Sequence, residues 1–320
     1  MNDIDNILLN FSELPYLFIG SGMSIRYLNL PNWENLLRHF AALAKPQTDF
    51  AYETYYSQAK GNCRDDLLLP RVASLIGRDF DQAWLQNSEF NEERKRYSDL
   101  VRQNISPFKI SLANYISGFS KRTDDQHLLD ELSCLKNVAK RSIAGVITTN
   151  YDQLAEEIFE GYNVYVGQEE LLFSETNGIM EIFKIHGCCQ KPNSIVINQE
   201  DYEIFNKRNA YLAAKLLTVF VEHPIIFLGY SLSDSNIQRI LKEVANCLSK
   251  DYLEKLQNRL IFVEYTPENK NDTEVRSHSI ELAEGECIDM TRIMLADYLP
   301  LFKALLRKRY NYNPKILRQL

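Results

Sequence analysis

The chain has 320 residues, 45% of them hydrophobic and 25% charged, which is enough for one large globular domain or a domain with an insertion. Its net charge is −7, which argues against a protein that works mainly by neutralising nucleic-acid phosphates. No apolar run approaches the roughly 18 residues of a membrane span, and the acidic start lacks the basic region of a secretory signal. We therefore expect a cytoplasmic protein that binds neither membranes nor nucleic acid directly.

The six cysteines contain no C-x-x-C pair, so the spacing of a zinc ribbon is missing. Two of them, Cys188 and Cys189, are adjacent and could not easily bridge each other. In a reducing cytosol free thiols are the default. The sequence therefore predicts no structural zinc and no disulfides.

The first strand signal, within 12–19, ends in a turn of small residues. Those turn residues are Gly20, Ser21, Gly22, Met23 and Ser24. Glycines at a strand end let a pyrophosphate approach the backbone, whose amides can donate to it, and the Ser24 hydroxyl can add a hydrogen bond. Because Ile25 stands at the third position of the G-x-G-x-x-G fingerprint, a tight structural turn is the alternative. We expect this segment to be followed by a further turn and then by a helix.

Residues 46–140 carry almost no strand signal and consist of charged, tyrosine-rich segments with helical spacing. A helix is predicted from Trp33, with Asn32 as its N-cap. A crossover between parallel strands needs only about a dozen residues. We therefore predict a helical subdomain over 32–140, inserted after the first strand and placed to act as a lid over the sheet.

Strand and helix signals alternate in the remainder of the chain. The predicted strands are 142–148, 162–166, 181–185, 194–197, 224–229 and 259–265, with a short one at 286–289. The predicted helices are 152–159, 200–222 with a break near Asn209, 234–248 and 291–308. This order predicts an α/β fold with a parallel sheet, whose core comprises 1–31 and 141–300. The basic tail at 301–320 is either a solvated helix end or a docking surface for another domain or subunit.

The second strand runs into Thr148-Thr149-Asn150-Tyr151-Asp152. An asparagine at a strand end offers a donor and an acceptor without charge, which suits a ribose hydroxyl or a water. Asn150 is therefore a candidate catalytic residue, with a turn residue as the alternative. Thr149 and Asp152 are candidate dinucleotide-binding residues, although Asp152 could simply cap the following helix.

Two further strand ends carry polar residues. His186 follows the strand at 181–185 and could serve as a general base, or it could be a structural histidine. Gly229 and Ser231 follow the strand at 224–229, and their backbone could face a nucleotide. Because the carboxyl ends of parallel strands meet at one edge of a sheet, we expect these four segments to form a single nucleotide pocket.

The order of these motifs resembles the sirtuin-like NAD-consuming domains of bacterial anti-phage defence, among them the Thoeris and defence-associated sirtuin NADases. The resemblance rests on G-S-G-M-S at 20–24, T-T-N-Y-D at 148–152, K-I-H-G at 184–187 and L-G-Y-S-L-S-D-S-N-I at 228–237. The stretches 31–33 and 195–202 are also similar to that group. The motifs span residues 16 to about 265. Taken together they are specific for that group, although no single one of them is.

The resemblance implies a Rossmann-like sheet with a helical insertion, so that the whole of 1–320 is one sirtuin-like domain. It implies NAD⁺ as substrate, Asn150 and His186 as catalytic residues, and the glycine-rich turn at 20–24 as a dinucleotide contact. Related protein deacylases carry a zinc module with two cysteine pairs, which this sequence lacks. Cys188 stands where relatives often have aspartate after His-Gly.

The leading hypothesis is an NAD⁺ glycohydrolase that depletes cellular NAD⁺ as the effector of an abortive-infection system. The alternatives are an NAD-dependent protein deacylase and a non-catalytic module that senses NAD or ADP-ribose in a larger assembly. An ungated NAD⁺ hydrolase would kill its host. We therefore expect a homo-oligomer and either a partner protein or a missing sensor domain that gates activity.

Overall fold

The computed structural model describes residues 3–61, 67–172, 178–207, 210–231, 235–245, 247–248, 253, 255–268, 273–281, 287–308 and 310. The strands are β1 (Tyr16–Ile19), β2 (Gly145–Thr148), β3 (Asn163–Val166), β4 (Glu181–Lys184), β5 (Ile225–Leu228), β6 (Leu260–Tyr265), β7 (Glu274–Glu281) and β8 (Cys287–Leu295). They form one sheet in the order β3-β4-β2-β1-β5-β6-β8-β7. Every pairing is parallel except that of β7 with β8. The predicted α/β class with a Rossmann-like sheet is confirmed.

Helices cover both faces of this sheet. They are α1 (Asp3–Leu9), α2 (Ser21–Leu28), α3 (Trp33–Ala44), α4 (Ala51–Lys60), α5 (Leu68–Gln86), α6 (Asn91–Arg96), α7 (Ser98–Arg102), α8 (Pro107–Ser117), α9 (Gln126–Ala139), α10 (Leu154–Ile158), α11 (Gly167–Leu172), α12 (Gln199–Lys207), α13 (Ala210–Glu222), α14 (Ser235–Ala245) and α15 (Leu299–Arg307). Between β1 and β2 every regular element of the described residues is helical, as expected for an insertion after the first strand. Its separation as a subdomain over 32–140 stays a prediction.

The central strands are buried on both faces because each alternate side chain enters a different core. In β1, Leu17 and Ile19 join a core with the helices of the β1–β2 connection and α15. Tyr16 and Phe18 join a second core on the opposite face, with α13 and α14. The short strands therefore read as continuous apolar runs, which is why the sequence signal for them is strong.

The predicted strand at 194–197 is wrong. Residues Pro192–Ser194 form a 3-10 turn, and the segment after it is irregular. The Val196 amide donates to the carbonyl of His186, and the Ile197 amide donates to the carboxylate of Asp201. These local bonds satisfy the backbone without a neighbouring strand.

The predicted helix over 291–308 is wrong in its first half. Strand β8 continues to Leu295, so the short strand expected at 286–289 is only its beginning, and α15 starts at Leu299. Strand β8 pairs with β6 on one side and β7 on the other, and this pairing overrides the local helical spacing. The edge strand β7 was not predicted, because it buries only Ile280 among its eight residues and so lacks an alternating signal.

The glycine-rich turn also differs from expectation. Helix α2 begins at Ser21, directly after an extended Gly20, rather than after a further turn. The break predicted near Asn209 lies outside the described residues. In the basic tail, Arg307 pairs with Asp5 of α1 at 2.6 Å, whereas 311–320 lie outside the described residues. None of the described helices combines the length and apolar character needed to cross a membrane.

The loops after β1 and β5 pack backbone against backbone. The Gly20 amide donates to the carbonyl of Leu228, and the Gly22 amide donates to the carbonyl of Gly229, both at 2.8 Å. A Cβ on Gly22 would lie 2.9 Å from the Cα of Gly229. Gly229 itself has φ +72°. Glycine is needed here for close approach of two strand ends.

Replacing Gly229 by alanine should therefore destabilise the protein by more than the backbone strain at its positive φ would do alone. Gly161→Ala is the matched control, because Gly161 has φ +84° and an added Cβ would meet nothing within 4 Å. We expect about 1–2 kcal/mol of destabilisation for the control. We expect at least about 1 kcal/mol more for Gly229→Ala, whose Cβ would lie 2.6 Å from the Met23 nitrogen. Urea denaturation measures both values, and equal losses in the two variants would contradict the packing argument.

Candidate active site

The parallel register brings four strand ends to one edge of the sheet. Ile19 of β1 is level with Thr148 of β2 and with Leu228 of β5, and Thr148 is level with Lys184 of β4. The loops that follow these residues must therefore meet at the carboxyl edge, where open α/β sheets bind ligands.

A pocket of about 580 Å³ opens at this edge, within the range of small-molecule sites. The predicted site residues that line it are Ser21, Ser24, Thr149, Asn150, Asp152 and His186. The predicted residues Gly20, Gly22, Gly229 and Ser231 are not among its described lining residues. The structure thus brings Asn150 and His186 into one cavity, which the glycines do not line.

The expected role of the glycine amides is different in the structure. The amides of Gly20 and Gly22 donate to the carbonyls of Leu228 at the end of β5 and of Gly229 just after it, so they are not available to a pyrophosphate. The first turn of α2 does reach the pocket through Ser21 and Ser24. That Ser21 and Ser24 contact a dinucleotide stays a prediction.

Asn150 is held by three hydrogen bonds within the protein. Its side-chain Nδ2 donates to the carbonyl of Gly20 and to the Ser24 hydroxyl, both at 2.8 Å. Its backbone amide donates to the Thr148 hydroxyl at 3.0 Å. With both amide hydrogens used, the atom that Asn150 offers to a ligand is the acceptor Oδ1.

Ser24 links Asn150 to Asp152. The buried Ser24 hydroxyl donates to Asp152 Oδ2 at 2.6 Å while it accepts from Asn150. The other carboxylate oxygen of Asp152 accepts the Leu154 amide at 3.0 Å, at the start of α10. The N-cap of α10 is Gln153 rather than Asp152, but Asp152 accepts the amide of the first helical residue and also orients Ser24.

The strand below this network carries a buried cation. Lys184 is fully buried, donates to the carbonyl of Asp152 and pairs with Glu156 at 2.7 Å. Since an unpaired charge could not remain at this depth, the pair holds α10 against β4. The bond from Lys184 to the Asp152 carbonyl ties the loop that carries Asn150 to β4 as well.

Thr149 is engaged on the other side of the pocket. Its hydroxyl lies 2.9 Å from the Tyr230 hydroxyl, which in turn donates to the carbonyl of Ile19 at 3.1 Å. Tyr230 lines the pocket as well, although it was not among the predicted site residues.

His186 is 2% exposed, and its ring meets the edges of Tyr202 at 5.4 Å and Phe205 at 5.0 Å between centroids. Within the described part of the chain, its Nε2 has no hydrogen-bond partner. Burial, and then the positive charge of Arg239, lowers the pKa of His186 to about 3. The imidazole is therefore neutral at pH 7 and presents a buried ring nitrogen next to the pocket.

Several lining residues were not predicted as site residues. Trp33, Leu36 and Ile116 come from the β1–β2 connection, and Gln238, Arg239 and Lys242 come from α14. The signal that could have found the last three is their spacing, since residues at i, i+1 and i+4 share one side of a helix that follows a strand end.

Cys188 lies outside the described lining of the pocket. It is 3% exposed, and its amide donates to the Ser194 hydroxyl at 3.0 Å. Its thiol lies 3.8 Å from Glu156 Oε1. A cysteine there is part of the support beneath the pocket, not of its surface.

Among the described residues, the group with metal-like spacing is His127, Glu131 and Asp297, and it contains no cysteine. The Glu131 carboxylate already accepts from Arg26 at 2.7 Å and from Tyr27 at 2.7 Å. The cluster lies outside the pocket and reads as an ion-pair network rather than a metal site.

The fold and the pocket define a Rossmann-like α/β domain with a polar ligand site at the carboxyl edge of its sheet. Residues 144–283 match the family described as SIR2-like domain. The resemblance predicted from the motifs is confirmed.

Curated relatives agree with this assignment. The chain is 29% identical over 157 residues to "NAD(+) hydrolase ThsA" of Bacillus cereus (strain MSX-D12), which is 44% of this chain and 33% of that protein. It is 30% identical over 172 residues to "NAD(+) hydrolase ThsA" of Enterococcus faecium, with 49% and 34% covered. It is 30% identical over 118 residues to "Defense-associated sirtuin 2" of Bacillus subtilis, with 35% and 12% covered. The chain thus spans about a third of the length of these ThsA relatives.

The depressed pKa of His186 predicts a specific loss of stability in acid. The folded protein keeps this imidazole neutral down to a pH of about 3, whereas the unfolded chain protonates it below about 6.5. Because the unfolded state binds the extra proton, the free energy of unfolding of the wild type should decrease as the pH is lowered through this window. The decrease is up to about 1.4 kcal/mol per pH unit.

The comparison is with His186→Gln, which cannot titrate. The free energy of unfolding of wild type minus that of the variant should be constant above about pH 7 and decrease steadily below about pH 6. Denaturant titrations at several pH values measure this difference, in which the other four histidines cancel. A difference that does not change with pH would show that His186 titrates normally in the folded state.

Proposed function

We propose that this protein is an NAD⁺ glycohydrolase, which cleaves the bond between nicotinamide and ribose with water and releases nicotinamide and ADP-ribose. The observation that carries the proposal is that Asn150 and His186 line one pocket, each with an acceptor atom left for a ligand. The relatives named NAD(+) hydrolase support NAD⁺ as the substrate.

Asn150 positions a hydroxyl or a water in this mechanism. Its Nδ2 hydrogens are used by Gly20 and Ser24, so Oδ1 is oriented to accept a hydrogen bond from a ribose hydroxyl or from the attacking water. Positioning of this kind lowers the barrier because the two reactants are already in place. Asp152 and Ser24 act through Asn150 and are positioning residues.

His186 accepts the proton. The neutral imidazole has a free Nε2, which can take a proton from the water or from a ribose hydroxyl as the carbon–oxygen bond forms. A general base contributes typically 10²–10⁴-fold to a rate, roughly 3–5 kcal/mol. Nicotinamide leaves as a neutral molecule from an oxocarbenium-like transition state, as in other glycosyl transfers.

The biological role we propose is depletion of cellular NAD⁺ in an anti-phage abortive-infection system, carried out in the cytoplasm. The similarity to a protein named defence-associated sirtuin supports this role. We further propose that activity is gated, through a homo-oligomer and through a partner protein or sensor domain. The pocket wall contributed by Trp33, Leu36 and Ile116 offers a physical route, since movement of these helices would open or close the site.

Loss of either candidate catalytic side chain should stop the reaction. Asn150→Ala and His186→Ala should each lower the rate of nicotinamide release by at least about 10²-fold, because they remove the acceptor or the base. Time-resolved NMR of NAD⁺ with the purified chain measures this rate. Asn163→Ala, at an exposed position on β3, and His278→Ala, on β7, are the matched controls and should retain wild-type turnover.

Circular dichroism and thermal unfolding of each variant check that the fold is kept. Substantial turnover in both Asn150→Ala and His186→Ala would remove the mechanism. O-acetyl-ADP-ribose formed from an acetylated peptide and NAD⁺ would instead indicate a deacylase. NAD⁺ binding with no nicotinamide release, in the presence of candidate partners, would indicate a sensing module.

Gating by assembly predicts activity that depends on concentration. We expect nicotinamide release per protomer to rise steeply over the concentration range in which light scattering shows the oligomer forming, because the monomer is the inactive state. Size exclusion with light scattering, run beside the NAD⁺ assay, makes the comparison. Full activity in a dilute monomer would contradict gating by oligomerisation and leave the hydrolase proposal in place.

A further inference from the structure

The wall of the pocket formed by α14 is positively charged. Arg239 and Lys242 are three residues apart, so they lie on one side of the helix, and both line the pocket. Among the described lining residues the only carboxylate is Asp152, whose oxygens accept from Ser24 and Leu154. A chain with a net charge of −7 thus has a cationic pocket, which indicates an anionic ligand.

Arg239 and His186 share one aromatic surface. The Arg239 guanidinium carbon lies 5.7 Å from the ring centroid of Tyr202 and 6.0 Å from that of Phe205. These are the two rings whose edges meet the imidazole of His186. The cation and the candidate base therefore pack against the same two aromatic rings.

Both groups present a buried polar atom without a partner. Among the described residues, neither Nη2 of Arg239 nor Nε2 of His186 makes a hydrogen bond. A buried guanidinium nitrogen without a hydrogen bond raises the free energy of the protein by about as much as the loss of a charge-assisted hydrogen bond. A ligand oxygen that accepts from this nitrogen would therefore bind favourably.

Two of the backbone amides suggested for the diphosphate are already bonded within the protein. The amides of Gly20 and Gly22 donate to Leu228 and Gly229. The cationic side chains of α14 are therefore the main candidates for binding an anion in this pocket. A guanidinium and an ammonium three residues apart suit two adjacent phosphates, because arginine binds phosphate oxygens in a fork and lysine binds as a point charge.

We propose that Arg239, together with Lys242, binds the diphosphate of the dinucleotide ligand. The identity of the anion rests on the proposed function. Burial, and then the positive charge of Arg239, lowers the pKa of His186, and a diphosphate bound to Arg239 would offset the second of these two causes.

The test measures ADP-ribose binding to the purified 320-residue chain by titration calorimetry, with wild type, Arg239→Gln and Arg239→Lys. Arg239→Gln should weaken binding by about tenfold or more, since it removes a charge-assisted bond, and Arg239→Lys should give an intermediate affinity. Arg102→Gln is the matched control, because Arg102 is an exposed arginine paired with Asp99. It should bind as wild type does.

Salt separates an ionic role from a structural one. Between about 50 mM and about 500 mM NaCl, wild-type binding should weaken by a clearly larger factor than that of Arg239→Gln, since the variant has lost one of the charges that salt screens. An Arg239→Gln variant with unchanged affinity, or with the salt dependence of wild type, would overturn the proposal. So would a wild-type chain that does not bind ADP-ribose.

The same preparations distinguish this proposal from the hydrolase proposal. If ADP-ribose binds through Arg239 but NAD⁺ is not cleaved with or without candidate partners, the hydrolase proposal fails and the anion site stands. If NAD⁺ is cleaved and Arg239→Gln leaves the KM for NAD⁺ unchanged, the anion site fails and the hydrolase proposal stands.

Discussion

The two hydrogen bonds donated by Asn150 Nδ2 hold the site together, because they join the loop after β2 to Gly20 after β1 and to the first turn of α2. One goes to the Gly20 carbonyl and the other to the Ser24 hydroxyl. Both hydrogens of the Asn150 amide are used in these bonds, which also orient its oxygen. The contacts that connect the two segments therefore determine that a ligand meets Oδ1. Ser24 extends the link to Asp152, and Asp152 extends it to α10.

A second feature is a pair of buried side-chain nitrogen atoms that make no hydrogen bond within the described part of the fold. Most buried polar groups in proteins find partners, yet His186 Nε2 and Arg239 Nη2 have none among the described residues, and both are beside one pocket. Leaving them unpaired costs stability. Proteins accept such costs where a ligand will supply the missing partner, so this pocket is better explained as a binding site than as a packing defect.

The sequence predicted the parts of the fold whose cause is local. Strands β1, β2, β4 and β5 were readable because they are buried on both faces, and Asn150 and His186 were readable because they follow those strands. Strand β8 was taken for a helix because its pairing with β6 and β7 is a long-range effect. The glycine amides were assigned to a ligand because sequence alone does not show that the carbonyls of Leu228 and Gly229 accept from them. Arg239 was missed because its spacing with Gln238 and Lys242 marks one side of α14, whereas only the tertiary fold shows that this side faces the pocket.

The most direct test of the account is a crystal structure of the chain with ADP-ribose bound. The account predicts a ligand ribose within hydrogen-bond distance of Asn150 Oδ1 and His186 Nε2, with the amide of Asn150 still donating to Gly20 and Ser24. A ligand bound elsewhere, or an Asn150 amide that has rotated to donate to the ligand, would contradict it.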